Sequence, residues 1–257
     1  MMQPIVIKIG GHELDDETFL VALADVIQGL DQPVVIVHGG GKEISNLQAK
    51  MGIEPRYLNG VRVTDRESLT LVEMVLCGTA NRRLVRYLVM GGVEAQGISG
   101  LDRGLIRAEK MQNGDVDMGF TGEVTAVRGD ILLSMLEQGI TPVLAPICLG
   151  PDSSYNVNAD HVAGAVAGAI EAAKVVFLTN VEGVLVDGQV QPSLTVDAAE
   201  ALIADGTIFG GMIPKVQTAL AALGRGVPQA VITNLTGLGS HGGTVFSFES
   251  TPAKKEV

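Results

Sequence analysis

The sequence predicts an α/β fold built on an open, mainly parallel sheet, and three stretches carry this prediction. Val34 to Val37 form an uninterrupted β-branched run, typical of a strand buried on both faces. Ile5 to Ile9 form a second apolar run, and the segment between the two runs repeats apolar residues at helical spacing. A strand, a helix and a second strand in this order predict a right-handed βαβ unit. Both strands then end at the same edge of the sheet, where open α/β sheets bind ligands.

The composition excludes several classes of protein. The chain has 257 residues, 46% hydrophobic and 18% charged, which is typical of one globular α/β domain or of two smaller lobes. Its net charge of −11 argues against nucleic acid or an anionic membrane as the main partner. No apolar run is long enough to span a bilayer and the N-terminus lacks the regions of a signal peptide, so we expect a cytoplasmic protein.

The cysteines and histidines give no sign of a metal site. Cys77 and Cys148 both lie in apolar surroundings and form no CxxC motif, so we expect buried thiols in a reducing compartment. The histidines are scattered without the spacing of zinc ligands. They are His12, His38, His161 and His241.

Both predicted strands end in glycines, Gly10-Gly11 and Gly39-Gly40-Gly41. A chain that leaves a parallel strand through glycines can bring its backbone N–H groups against an anion. Lys8 lies inside the first strand, where a lysine is costly to bury without a partner. These features together indicate a site for a highly charged substrate. Three consecutive glycines alone are equally compatible with a sharp strand-to-helix turn that binds nothing.

The helix after the second glycine loop is predicted to end before Glu54-Pro55, and Arg62 lies just ahead of the next helix. Thr64 and Glu67 have the spacing of a capping box, which predicts that this helix begins at Thr64. An isolated arginine is usually an ordinary surface residue, but one held at a helix start beside an anion site favours bidentate carboxylate recognition. The helix is also long and apolar enough to serve as a subunit contact.

The second half of the chain adds two polar groups and a hairpin. Asn113-Gly114 predicts a tight turn between two short strands, which form either a lid on the ligand edge or a surface excursion. Asp160 begins a helix of small residues, where its carboxylate is expected either to cap the helix or to act in a site. Pro214 suits the first turn of a later helix and sets Lys215 at its positive end, as a plausible phosphate ligand.

One motif matches a dinucleotide-binding pattern but lacks the structural context of such a site. Gly237 to Gly242 match the pattern GxGxxG, but a strand rather than a helix is predicted to follow, and too little chain remains for a βαβ unit. The chain contains no GxxxxGK[ST] sequence and no protein-kinase motif set. We therefore expect neither a dinucleotide-binding fingerprint nor a P-loop.

Five short motifs occur in a fixed order along the chain: Lys8-Ile9-Gly10-Gly11, His38-Gly39-Gly40-Gly41, Asn59-Gly60-Val61-Arg62-Val63-Thr64, Asn156-Val157-Asn158-Ala159-Asp160 and Gly210-Gly211-Met212-Ile213-Pro214-Lys215. Together they resemble the amino acid kinase family over essentially the whole length of the chain. The resemblance implies a three-layer αβα sandwich with an N-terminal acyl-amino-acid-binding and dimerisation lobe at 1–170 and a C-terminal nucleotide-binding lobe at 171–257. It implies ATP-dependent phosphorylation of the γ-carboxylate of N-acetyl-L-glutamate in arginine biosynthesis, with Mg²⁺ accompanying ATP.

The resemblance also implies a role for individual residues. Lys8 and Lys215 would stabilise the transferring phosphoryl group, with a backbone N–H from Gly11, and Asp160 would orient both lysines. Gly40 and Gly41 would contact the acyl substrate, whose α-carboxylate Arg62 and Asn156 would hold. The residues implied for the nucleotide are Asn180, Val181, Glu182, Gly183, Val184, Leu185, Thr207, Ile208, Phe209 and Gly211. Two positions depart from the family pattern: Asn180, where Asp is common, and Lys42, where proline often follows the glycines.

The implied chemistry agrees with the residues present. A γ-carboxylate has a pKa of about 4.3, so at neutral pH it is already a nucleophile and needs no general base. Phosphoryl transfer instead needs positioning and neutralisation of negative charge, which lysines, glycine N–H groups and Mg²⁺ supply.

Two other functions remain open at this stage. A related kinase of lysine synthesis acts on aminoadipate linked to a carrier protein, but the segments around Arg62 and Asn156 favour the free acetylated amino acid. The second alternative is a non-catalytic nucleotide-binding sensor of the same fold. The presence of both lysines with Asp160 argues against this function. Family members inhibited by arginine carry an extra N-terminal helix. Because the first strand here begins within a few residues of Met1, we expect a homodimer insensitive to arginine.

Overall fold

The computed structural model describes residues 3–11, 13–58 and 60–249, and these residues form a mixed α/β structure around one large sheet. His12 and Asn59, named above, lie outside the described residues. The strands are β1 (Ile5–Ile9), β2 (Val34–His38), β3 (Arg56–Leu58), β4 (Val61–Val63), β5 (Ala95–Gly100), β6 (Ile106–Asn113), β7 (Val116–Val127), β8 (Thr141–Leu149), β9 (Ser154–Val157), β10 (Lys174–Leu178), β11 (Leu185–Val186), β12 (Gln189–Val190), β13 (Ser193–Thr195), β14 (Ala230–Thr233) and β15 (Thr244–Ser247).

Helices alternate with many of the strands, as the sequence pattern predicts. The α-helices are α1 (Glu17–Gln28), α2 (Gly41–Lys50), α3 (Arg66–Glu73), α4 (Asn81–Met90), α5 (Gly129–Glu137), α6 (Ala159–Ala169), α7 (Val196–Ala204), α8 (Met212–Leu223) and α9 (Leu235–Ser240). A π-helical segment (Met74–Ala80) joins α3 directly to α4, and short 3₁₀ turns lie at Glu13–Asp15 and Asp102–Gly104. None of the helices in the described residues has the length and apolar character that crossing a membrane requires.

The first strand lies near the middle of the sheet. The strand order is β13-β15-β14-β10-β1-β2-β8-β6-β7-β9, and β5 pairs with β8. β1 runs parallel to both β2 and β10, and the register sets Lys8 opposite Val37 and Phe177. The antiparallel pairs lie toward the two edges, where β14 meets β15 and β6 meets β7. The carboxyl ends of the central parallel strands therefore meet at one edge, as the βαβ pattern predicted.

Apolar residues pack on both faces of this sheet, and alternate residues of β1 mark the two sides. Val6 belongs to one hydrophobic cluster, which includes residues of α5, α6 and α8. Ile5, Ile7 and Ile9 belong to the other cluster, which includes residues of α1 and α4. Since successive side chains of a strand point to opposite faces, the sheet lies between two layers of helices. The predicted three-layer αβα sandwich is confirmed.

The structure tests two local predictions, the hairpin at Asn113-Gly114 and the start of the helix after Arg62. β6 and β7 pair in antiparallel fashion through a turn in which Gly114 has φ 57°, so the predicted hairpin is confirmed. Its role as a lid stays a prediction. The prediction of a capping box at Thr64 is wrong. Asp65 caps α3, and its carboxylate accepts the Ser68 N–H at 2.8 Å. Thr64 instead pairs with β7, where its carbonyl accepts the Phe120 N–H, so its hydroxyl is directed elsewhere.

The division into lobes at residue 170 stays a prediction. β10, from the C-terminal part of the chain, pairs with β1 in an unbroken parallel register from Ile5 with Lys174 to Ile9 with Leu178. The two parts of the chain therefore share one sheet, and the cavities described below lie along its carboxyl edge.

Candidate functional site

The two lysines implied for phosphoryl transfer line one cavity of about 380 Å³. Lys8 projects from β1, and Lys215 projects from the first turn of α8. The glycines at the end of β1 form another wall, and the polar lining includes Glu13, Asp160, Thr179 and Thr218. Two ammonium groups that are far apart in sequence thus face the same space, at the carboxyl edge where ligands bind in open α/β sheets.

Asp160 forms an ion pair with Lys8. The Lys8 Nζ lies 2.9 Å from the Asp160 Oδ1, with 19% and 25% of the two side chains exposed. Asn158 is the N-cap of α6, and its side chain accepts the Asp160 N–H at 2.7 Å. Because Asn158 performs the capping, the carboxylate of Asp160 is available to hold the lysine.

Lys215 is held by a different group. Its Nζ donates to the Thr179 Oγ1 at 3.0 Å, at the end of β10. Asp160 was expected to orient both lysines, but among the described ion pairs it contacts only Lys8. The physical reason is the direction of approach, since Lys215 enters from α8 and meets the hydroxyl at the end of the neighbouring strand. The sequence interpretation missed Thr179, whose position directly after a buried strand was the available signal.

The two glycine loops touch each other. A Cβ atom built on Gly11 would lie 2.8 Å from the Gly40 Cα and 2.9 Å from the Gly41 N, which is closer than real Cβ contacts come. The Gly39 N–H donates to the Ile9 carbonyl at 2.9 Å and ties the second loop to the first strand. Glycine is needed at position 11 because the backbones of both loops meet there.

A second cavity, of about 210 Å³, lies on the far side of this contact. Gly40, Gly41, Arg62 and Asn156 all line it, so the four residues implied for the acyl substrate do come together. Asn156 donates its side-chain N–H to the Thr64 Oγ1 at 3.0 Å. This bond fixes the amide beside Arg62 and explains why Thr64 is buried in the site and does not cap a helix.

Arg62 is buried and held by neutral acceptors. Its guanidinium donates to the Ser45 Oγ at 2.8 Å, to the Tyr57 hydroxyl at 2.5 Å, to the Gly41 carbonyl at 3.3 Å and to Gln48. Burial lowers the pKa of Arg62 and the nearby Tyr57 phenol acts in the opposite direction, yet an arginine stays protonated at neutral pH. Within the described residues no carboxylate pairs with this charge. A buried, uncompensated cation suits an anionic ligand group.

Of the groups that hold Arg62, the sequence interpretation named Gly41 as a site residue but missed Ser45, Gln48 and Tyr57. Gly41, Ser45 and Gln48 are spaced by four and three residues along α2, so they share one helix face. That spacing was the signal that could have found them. Tyr57, on β3, gave none, because β3 and β4 form a separate two-stranded sheet whose position depends on packing.

A third cavity, of about 400 Å³, gathers most of the residues implied for the nucleotide. They are Val181, Glu182, Gly183, Val184, Leu185, Thr207, Ile208 and Phe209, and Met212 joins them. The apolar side chains suit a flat, aromatic ring system. The two remaining residues lie elsewhere along the edge: Gly211 lines the lysine cavity, and Asn180 lines a neighbouring cavity together with Lys215.

The described residues contain no group of three or more His, Cys, Asp or Glu side chains placed to hold a metal ion. The carboxylates that line the lysine cavity are Glu13 and Asp160. The Glu13 Oε2 is buried and has no hydrogen-bond partner in the described residues. Oxygen donors of this kind suit a hard divalent cation that keeps further ligands from phosphates and water.

Comparison with known proteins identifies relatives of the whole chain. A sequence model of the amino acid kinase family matches residues 3–234. The acetylglutamate kinase of Roseiflexus sp. (strain RS-1) is 54% identical over 243 residues, covering 95% of this chain and 93% of the relative. The acetylglutamate kinase of Geobacillus kaustophilus (strain HTA426) is 41% identical over 265 residues, covering 100% of this chain and 98% of the relative.

Solved structures agree with the fold. The crystal structure of smu.665 from Streptococcus mutans UA159 has a TM-score of 0.79 and 32% identity, covering 95% of this chain and 98% of that chain. N-acetylglutamate synthase from Neisseria gonorrhoeae, complexed with coenzyme A and N-acetyl-glutamate, has a TM-score of 0.82 and 25% identity, covering 97% of this chain and 60% of that one. A carbamate kinase from Giardia has the same fold at 14% identity and a TM-score of 0.67.

Proposed function

This chain belongs to the amino acid kinase family, and we propose that it is an ATP-dependent kinase that phosphorylates the γ-carboxylate of N-acetyl-L-glutamate in arginine biosynthesis. The observation that carries the proposal is the convergence of Lys8 and Lys215 on one cavity that meets a second cavity at the contact between Gly11 and Gly40. Relatives of this length and identity bear the name acetylglutamate kinase, which supports the choice of acceptor.

The reaction joins the contents of the two cavities. The ionised γ-carboxylate oxygen attacks the γ-phosphorus of ATP, and the bond from that phosphorus to the bridging oxygen of ADP breaks. No proton has to be removed, because a carboxyl of pKa about 4.3 is already ionised at neutral pH. The cost to be met is the negative charge that spreads over the transferring group.

The chain supplies positive charge at this point. Lys8 and Lys215 would hold oxygens of the transferring phosphoryl group from two sides, and Gly11 would donate its backbone N–H. Asp160 would keep the Lys8 ammonium in place through the 2.9 Å ion pair, and Thr179 would do the same for Lys215. Mg²⁺ would accompany ATP and neutralise phosphate charge, with Glu13 and Asp160 as the carboxylates available in the cavity.

The second cavity would hold the acceptor. The guanidinium of Arg62 is fixed by Ser45, Tyr57 and α2, so it offers a preorganised charge to the α-carboxylate of N-acetyl-L-glutamate. Asn156 would donate to the same carboxylate, and Gly40 and Gly41 would contact the acyl chain. The apolar third cavity, with Phe209 at its rim, would take the adenine ring of ATP.

A coupled assay of ADP formation, with and without N-acetyl-L-glutamate, tests the proposal. We expect ADP to form only when the acceptor is present. Carrier-protein-linked aminoadipate is the second acceptor to assay, because turnover of that compound in preference to acetylglutamate would assign the chain to lysine synthesis. If the protein bound nucleotide but formed no ADP with any acyl amino acid, the chain would instead be a non-catalytic nucleotide-binding sensor.

The assembly and its regulation are also proposals. Met74, Val89 and Met90, on the π-helical segment and α4, are exposed by 59%, 52% and 75%, and support a homodimer formed through this long helix. Light scattering at several concentrations tests it, and a monomer at all of them would contradict it. Insensitivity to arginine is tested by titrating arginine into the same assay, and location in the cytoplasm stays a prediction.

A further inference from the structure

We infer that His38 and Asn81 are positioning residues that aim the backbone N–H of Gly40 at the junction of the two substrate cavities. The inference rests on the proposed function for its meaning, because the group that this N–H would meet is the acyl phosphate being formed. The carboxyl end of β2 carries His38, and the first residue of α4 is Asn81. Both side chains are buried, with 0% and 1% of the residue exposed.

The two side chains form a chain of hydrogen bonds that ends on the glycine loop. The His38 Nδ1 lies 2.9 Å from the Gly39 carbonyl oxygen, and the His38 Nε2 lies 3.0 Å from the Asn81 Nδ2. The same Nδ2 lies 2.9 Å from the Val143 carbonyl oxygen on β8. The loop is thus tied through two side chains to a neighbouring strand of the sheet.

The donors and acceptors in this chain can be assigned. An amide nitrogen carries two N–H groups and accepts nothing, so Asn81 donates to both the Val143 carbonyl and the His38 Nε2. Turning the amide over would set its oxygen against the Val143 carbonyl. A neutral ring that accepts at Nε2 carries its proton on Nδ1, which donates to the Gly39 carbonyl. Burial lowers the pKa of His38 to about 4, so the ring is neutral at neutral pH.

The planarity of the peptide bond then fixes the next N–H. In a trans peptide the C=O of one residue and the N–H of the following residue point in opposite directions. The Gly39 carbonyl is held toward the buried ring, so the Gly40 N–H points to the other side, away from the core. Gly11 lies next to this nitrogen: the Gly40 N is 2.8 Å from the position that a Cβ on Gly11 would take. Within the described residues this N–H donates to no backbone carbonyl.

The helix that carries Asn81 is built to reach this point. The π-helical segment Met74–Ala80 ends directly before Asn81, and a π turn accommodates one extra residue, which changes the face that the next residue presents. Leu76, in the same segment, packs 2.7 Å from the position that a Cβ on Gly40 would take. Gly97 leaves room for the amide, because a Cβ there would collide with the Asn81 Oδ1. The segment therefore holds the loop by packing and by hydrogen bonding together.

Two variants with the same functional group test the role of the His38 Nδ1. In His38→Asn the carboxamide ends near the position of Nδ1 and can still donate to the Gly39 carbonyl. In His38→Gln it ends near the position of Nε2 and cannot. We expect kcat to fall by roughly tenfold to a hundredfold in His38→Gln, which is the effect of misplacing one backbone donor, and to fall much less in His38→Asn. Asn81→Leu keeps the Nδ1 donor and removes only the anchor of the ring, so we expect its kcat to lie between those of His38→Asn and His38→Gln.

The control is nucleotide binding, since the third cavity does not touch this chain of bonds. ADP affinity and the thermal unfolding midpoint report the fold, and a loss of kcat that merely follows a loss of stability in all three variants would overturn the inference. Equal kcat in His38→Asn and His38→Gln would overturn it as well. KM for N-acetyl-L-glutamate should rise in His38→Gln while KM for ATP stays near the wild-type value.

The hydrogen-bond assignment has a readout that does not require activity. With ¹⁵N-labelled histidine, we expect wild-type His38 at pH 7 to show a protonated Nδ1 and an Nε2 without a proton. The opposite tautomer, or a charged ring, would overturn the inference. If the wild-type protein formed no ADP with N-acetyl-L-glutamate, that result would contradict the proposed function. The tautomer of His38 and the rate of amide exchange at Gly40 would still decide whether His38 aims this N–H.

Discussion

The cations of the first and second cavities are held in different ways. Within the part of the chain that the structure describes, Lys8 and Lys215 each have one side-chain partner, and Lys8 keeps about a fifth of its side chain exposed. Arg62 is buried, and four neutral groups hold its fork. A lysine is a point charge on a flexible stem, whereas an arginine presents a planar fork of fixed geometry. The lysines therefore suit a group that moves between two oxygens, and the arginine suits a carboxylate that stays in place.

Among the variants that test this difference, removal of a lysine should have the largest effect on kcat. We expect Lys8→Ala and Lys215→Ala to lower kcat by about two orders of magnitude or more, because each removes charge that matters most in the transition state. The measurement is steady-state kinetics with both substrates. Lys110→Ala is the matched control, since Lys110 forms an exposed ion pair with Asp117 on the hairpin. Unchanged turnover in both cavity variants would remove the lysines from the mechanism.

Replacing the fork by a point charge should have a smaller effect, on a different constant. In Arg62→Lys the charge stays but the bonds to Ser45 and Tyr57 cannot all be made. We expect KM for N-acetyl-L-glutamate to rise by roughly tenfold, the value of about one or two charge-assisted hydrogen bonds, with KM for ATP unchanged. If Arg62→Lys lowered kcat and left this KM unchanged, Arg62 and the two lysines would not differ in role.

The contact between the cavities can be broken separately. Gly11→Ala places a Cβ within 2.8 Å of the Gly40 backbone, so the two loops must move apart. We expect kcat to fall by about tenfold, because the reacting groups are then held too far apart. Gly78→Ala is the control, as nothing lies within 4 Å of a Cβ at that position. Wild-type kinetics in Gly11→Ala would mean that the loops do not set the reaction distance.

The apolar cavity should show the smallest effect. Phe209 is 74% exposed at the rim of the third cavity, so Phe209→Ala removes only part of the surface against which the base would pack. We expect KM for ATP to rise by about threefold to tenfold with kcat unchanged, which corresponds to the loss of one aromatic contact. Phe248→Ala, with 65% exposure and a position outside the cavities, is the matched control. An equal change in both variants would contradict a role for Phe209.

Much of this site could be predicted from the sequence, because its parts come at the ends of strands. Lys8 lies near the end of β1 and the glycines follow β1 and β2, and parallel strands that pair must end at the same edge. The partners of these groups could not be predicted in the same way. Thr179 contacts Lys215 across 36 residues, and Asn81 contacts His38 across 43 residues. Such pairs depend on how the helices pack on the sheet.

The alternation of strands and helices, the two glycine loops and the identity of the cations follow from the sequence alone, because period-2 and period-3.6 patterns and glycine positions act locally. Only the packing of the folded chain set that Asp160 holds Lys8 while Thr179 holds Lys215. The same packing set that Asp65 and not Thr64 caps α3, and that Asn81, directly after a π-helical segment, reaches His38. The reason is that a side chain's partner depends on the direction from which its element reaches the sheet. That direction is fixed only when the two layers of helices pack on both faces at once.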